Sequence, residues 1–260
     1  MSSKLLQSAL IYNMDGHRAN PVNLFAGALG MVINNVIFLA GLWGMLFAGK
    51  PKNAELLFYY IALTAVVMTS WGSVNFFFGG LRSLGDLITD GMLEPMLATP
   101  RDPIYLAAIS KSHPIALGDL LMGLLGLTAV FFQFSPVMGY KCLFASALSS
   151  LAFAGLFIFA GSISFFVSRG NQVGHLLIEL TVSMSTYPTG KMFTGPERIL
   201  LLLTPAAATA VLPVDAVEKA GTKFFLIALL AAVGFFIFSV LIFRIGLSRY
   251  RSVSLIGIQR

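Results

Sequence analysis

Three ionisable side chains stand inside or beside long apolar stretches of this sequence: Asp119, His175 and Glu179. A charge in such a setting is costly unless it is satisfied, so each is a functional candidate by default. His175 and Glu179 are four apart, share one face of a helix and can pair. Asp119 and Glu179 could serve a proton relay. A plainer reading puts both carboxylates near cytoplasmic helix ends, where His175, Lys111 or water satisfies them. Two ligands are too few for a metal site.

Other chemistry lacks its residues. There is no GxxxxGK[ST] run, and Gly190-Lys191 has neither the upstream glycine nor the following hydroxyl that would cradle phosphate and hold magnesium. Any ATP-driven work therefore falls to another chain. No HExxH, GxSxG or paired aspartates at metal-ligand spacing occur. Cys142 is the single cysteine, which excludes an intramolecular disulfide and a thiolate metal site. The expected sets of catalytic, cofactor-binding and metal-binding residues are empty.

The elements around these residues are membrane elements. Hydrophobic residues make up 57% and charged residues 11% of the 260, with a mean hydropathy of +0.85. Soluble domains carry about 25% charged residues, so this chain has too little polar surface to cover a water-soluble globule. The net charge of +6 sits in short segments between apolar runs, the pattern of membrane loops and not of a nucleic-acid interface. The N-terminus does not read as a cleaved signal, because polar or mixed residues precede an apolar run too long for an h-region.

The predicted architecture is all-α and polytopic, a single unit over 1–260 with six crossings. Residues 3–14, within a cytoplasmic segment 1–20, form an amphipathic interface helix with Leu5, Leu6, Ala9 and Leu10 on one face. Leu24–Ala48 would span about 37 Å, enough to cross with some tilt. The further crossings are Leu56–Leu81, Pro114–Phe134, a span within Lys141–Arg169, a fifth ending near Tyr187, and Phe224–Phe243. The stretch 188–222 is rich in Pro and Gly. Its apolar run Ile199–Val214 is short and interrupted by Pro205, so it reads as two external half-helices that do not cross. Ten basic residues against seven, and eight of nine arginines, fall on the side of the termini, which places both termini in the cytoplasm.

Residues 82–103 are the most informative polar stretch. Leu84, Leu87, Ile88, Gly91, Met92 and Leu93 make an apolar stripe, and Arg82, Asp86, Asp90 and Glu94 mark the polar side. The reading is one short amphipathic helix, ended by Pro95 or Pro100, whose stripe inserts into a groove on a cytoplasmic partner. Its three acids oppose adsorption to an anionic leaflet.

This layout resembles the ABC-2 type permeases, and is most similar to the branch formerly called domain of unknown function 990. Asp90-Gly-Met-Leu-Glu-Pro-Met-Leu-Ala-Thr-Pro-Arg-Asp-Pro103 is similar to that branch's GxLDxLLxRPxxP stretch. Tyr187-Pro188, Arg198-Ile-Leu-Leu-Leu-Leu-Thr-Pro205 and Leu212-Pro213 resemble its external YP…RxLLxxxxP…xP segment. Thr99 stands where Arg is usual and Glu94 where Asp is common. The resemblance implies the membrane half of an ATP-driven exporter in a bacterial inner membrane. A separate cytoplasmic ATPase, carrying the ATP and magnesium, would dock on a coupling helix at roughly Arg82–Leu97. Helices one, two and five would line a path between two permease chains, identical or siblings. The external half-helices, with Tyr187, Pro188, Pro205 and Pro213, would form an outer gate. The runner-up is a proton-coupled transporter or channel using Asp119 and Glu179, and a third reading is a membrane scaffold.

Overall fold

The computed structural model describes residues 7–9, 11–13, 21–47, 54–193, 195–219 and 221–250, and these are helical with no strand among them. Half of the predicted interface helix, residues 3–6, 10 and 14, lies outside the described residues. Those described, 7–9 and 11–13, are helical, and Asn13 Nδ2 donates to the Ile109 carbonyl at 3.2 Å and to Ser112 Oγ at 3.3 Å.

Five helices are long and apolar enough to cross a membrane. They are built on α1 (Pro21–Phe47), α2 (Ala54–Phe78), α6 (Leu117–Gln133), α7 (Pro136–Ser162) and α12 (Thr222–Arg249). Their starts follow capping chemistry. Ser135 Oγ accepts from Val137 N at 3.1 Å and Met138 N at 3.4 Å, and Pro136 takes the first helical position, where an amide would be unsatisfied anyway. The two mostly buried spans, α2 and α7, form the centre, while α1 and α12 are largely exposed around them. Helix α6 lies close against α2 because small residues meet there. A Cβ at Gly123 would stand 2.3 Å from the Thr69 amide nitrogen, and one at Gly72 would stand 2.5 Å from that of Leu120.

The 82–103 loop departs from the expected single helix. It contains α3 (Leu84–Thr89), α4 (Glu94–Leu97) and α5 (Pro103–Ile109). Gly91, at φ 74°, ends the first piece in the left-handed region, and Leu93 N then bonds back to Leu87 O at 3.0 Å. The stripe is also not presented outward. Leu84, Ile88 and Leu93 are buried in the chain's own core, and Asp90, Met92 and Leu97 are exposed. Burying those apolar side chains inside the fold removes their surface from water, so the outward side of the loop is the opposite face.

The segment after α8 (Gly170–Thr186) is a run of short pieces: α9 (Thr189–Met192), α10 (Glu197–Leu202), a π turn at Ala207–Val211 and α11 (Leu212–Glu218). Pro205 opens the second half, with Ala208 N and Thr209 N both bonding to its carbonyl at 3.1 Å. Helix α8 has 17 residues, about 26 Å at 1.5 Å per residue, and a polar composition, so it is not among the five by length and hydropathy. It nonetheless runs from Asp86, met by Asn171, at one end to Thr209 of the π turn, met by Ser185, at the other.

Candidate functional site

A cavity of about 470 Å³ lies between α1, α2, α6 and α8. Polar groups reach it from four directions: Asn35 from α1, Asn75 and Arg82 from α2 and its end, His113 and Asp119 at the start of α6, and Glu179 from α8. Met31, Val67 and Ile115 supply apolar wall.

Both predicted intramembrane carboxylates line this cavity, with other partners than expected. Asp119 is 5% exposed; it accepts from Asn35 Nδ2 at 2.7 Å and from the Trp71 side chain. Glu179 pairs with Arg82 at 2.8 Å, and the Arg82 guanidinium lies over the Trp71 ring, 5.2 Å from its centroid. His175 turns to Asp86 at 3.1 Å instead of to Glu179. His175 and Glu179 share one helical face, but the carboxylate within reach of His175 comes from the loop.

A single face of α8 therefore carries a polar seam. Asn171, His175 and Glu179 recur every four residues; the first two meet Asp86, at 3.1 Å each, and the third meets Arg82. The loop is tied on its other side by Asp102, which caps α5 through Ile104 N at 2.8 Å and also pairs with Arg244 of α12. Asp86 and Arg82 thus tie the loop to α8, which forms one wall of the cavity.

The description "ABC-2 family transporter protein" belongs to the family whose model matches residues 52–254. This chain belongs to the ABC-2 family of transporter membrane proteins. No curated protein and no solved structure matches it. The ABC-2 membrane subunit carries no ATPase site of its own and associates with an ABC ATPase and the membrane.

In this ABC-2 chain, the outward face of the loop is the turn at Thr89–Met92 and the stretch Pro95–Arg101, where Asp90, Met92 and Leu97 are exposed. Glu94 is half-buried, and Leu87 packs against the core. At the far end, Asp215 binds Arg198 and, at 2.8 Å, Lys219, and Glu218 binds Lys191. These pairs hold α9, α10 and α11 together over buried Tyr59. Tyr187 packs edge-on against Phe38 of α1 at 5.4 Å, and Pro188 caps α9. Pro213 has no amide hydrogen for the Thr209 carbonyl; Ser149 of α7 donates to that oxygen instead, and Thr209 Oγ1 bonds Ser185 of α8 at 2.8 Å.

Asn35, Trp71, Asn75 and His113 belong to this site and were not singled out from sequence. The signal was an Asn34-Asn35 pair inside the charge-free run 19–49.

Proposed function

We propose that the chain is the permease half of an exporter that moves an amphipathic or hydrophobic substrate while a separate cytoplasmic ATPase drives it. The seam between α8 and the loop carries this reading, because it joins the surface offered to a partner to a wall of the polar cavity. ATP and magnesium belong to the ATPase. Helix α8 makes a sixth crossing: it covers the height of the bundle, and its polar residues face the seam and the cavity, not lipid. Both termini then lie in the cytoplasm of a bacterial inner membrane.

A second permease chain, identical or a sibling, completes the path against the apolar flanks of α1 and α8. Phe25, Leu29 and Ile33 on the one, and Leu176, Leu180 and Met184 on the other, are exposed. The pieces at 188–218, with Tyr187, Pro188, Pro205 and Pro213, act as the outer gate. The test is co-expression with a candidate ATPase: Asp90→Arg with Met92→Glu releases it from the purified permease and abolishes ATP-dependent transport. Retention of both refutes the docking assignment.

The burial of Asp119 favours a second reading, proton-coupled transport through Asp119 and Glu179. Transport that survives ATP depletion but collapses with the proton gradient selects it.

A further inference from the structure

Two acceptors on the cavity wall have nothing to accept. Asn75 is 1% exposed, and its Nδ2 donates to the Trp71 carbonyl at 2.9 Å. That bond fixes the amide orientation and leaves Oδ1 buried without a donor. His113 bonds the Gly79 backbone through one ring nitrogen, and its Nε2 is buried and unpartnered. The bonded nitrogen is therefore Nδ1–H, and Nε2 presents a lone pair. Burial, then the charges of Lys111 and Arg82, lower the pKa of this imidazole and keep it neutral.

The charges are equally one-sided. Arg82 pairs directly with Glu179, whereas the groups that hydrogen-bond Asp119, Asn35 and Trp71, are neutral, and the Arg82 charge acts on it only from beyond ion-pair distance. A buried acceptor without a donor costs about 1–3 kcal/mol, and a buried carboxylate without an ion-pair partner costs more. What fits here supplies hydrogen-bond donors and a positive charge. An ammonium group has three donors, and the wall offers three acceptor groups: the Asp119 carboxylate, Asn75 Oδ1 and His113 Nε2.

A second cavity, about 390 Å³, adjoins the first and is almost wholly apolar, with Leu39, Ile61, Met122 and Leu125 in its wall. Asn35 and Leu39, Thr64 and Met68, and Asp119 and Met122 are each about one helical turn apart, so the two cavities stack along α1, α2 and α6. A polar socket below an apolar groove suits a head and a tail.

We propose that the paired cavities bind an amphipathic organic cation, a protonated primary amine on an apolar body, with its ammonium among Asp119, Asn75 and His113. This names the substrate class within the permease reading and rests on it. The test uses the full chain in nanodiscs of zwitterionic lipid, with Trp43→Phe leaving Trp71 as the single tryptophan. Phenylbutylamine is titrated against phenylbutanol, which keeps a donor but no charge. The amine saturably changes Trp71 fluorescence and the alcohol binds at least about tenfold more weakly; Asp119→Asn removes that preference, and Asn75→Leu and His113→Phe each weaken the amine severalfold. Equal binding of amine and alcohol, no saturable binding, or an unaltered amine affinity in folded Asn75→Leu and His113→Phe overturns the proposal. No ATPase is present in this assay, so its failure leaves the permease reading standing, and loss of ATPase co-purification is scored separately.

Discussion

Arg82, at the loop end of the second spanning helix, and Glu179, in the middle of α8, meet at 2.8 Å beside the cavity, with the guanidinium stacked on Trp71. Because Arg82 directly precedes α3, this pair stands between the loop and the cavity wall. Its side chains are 33% and 62% exposed, so its contribution to stability is below about 1 kcal/mol. Its importance is in transmission. Glu179→Gln leaves thermal unfolding nearly unchanged and lowers transport per ATP hydrolysed severalfold, and the exchange Arg82→Glu with Glu179→Arg restores part of the coupling. Measured ATPase and transport rates in proteoliposomes decide it; unchanged coupling in Glu179→Gln removes the seam from the mechanism.

The buried and exposed sides of the loop separate by phenotype. Leu84→Ala, at a fully buried position, costs about 2–5 kcal/mol and lowers expression. Met92→Glu, at 57% exposure, shifts stability by less than about 0.5 kcal/mol but weakens ATPase retention. Unfolding midpoints in detergent beside pull-down yields check both.

Ser149, Thr209 and Pro213 form a testable triangle. Ser149→Ala strips the Thr209 carbonyl of its donor from α7 and costs about 1–3 kcal/mol. Pro213→Ala supplies a backbone amide that can take over, so the double variant is less destabilised than the sum. A double-mutant cycle on unfolding free energy reports the coupling, and strict additivity contradicts the arrangement.

His113 sets a pH dependence. Its pKa lies below the ordinary histidine value of 6.5 because burial, Lys111 and Arg82 disfavour the imidazolium. A depressed pKa means that the unfolded chain binds the proton more readily, so this group's stability is present above pH 6.5 and lost as pH falls through the folded pKa. Unfolding midpoints should drop between pH 6.5 and the acid range, and His113→Phe should flatten that part of the profile. An identical profile in the variant would show that His113 is not the group responsible.

Much of the fold was legible before any coordinates. Apolar runs uninterrupted by charge announced the spans, because a bilayer admits backbone only where it bonds to itself. Pro205 is visible as a break, whereas Gly91 falls within the apolar stripe and gives no sign that it divides the loop helix. The site was less legible. His175 and Glu179 share a face, but spacing along one helix cannot say what a neighbouring helix brings opposite it. Asp86 and Arg82 lie more than eighty residues away in sequence.

The sequence by itself determined a membrane protein without a nucleotide-binding motif, with short polar loops and a longer polar segment at 82–103, because these follow from composition and local periodicity. Only the tertiary structure decided which side of that segment faces inward, and that Asn35, Asn75, His113 and Asp119 share one cavity. Those are long-range facts: each residue's choice between core, cavity and surface depends on packing partners that local sequence does not encode.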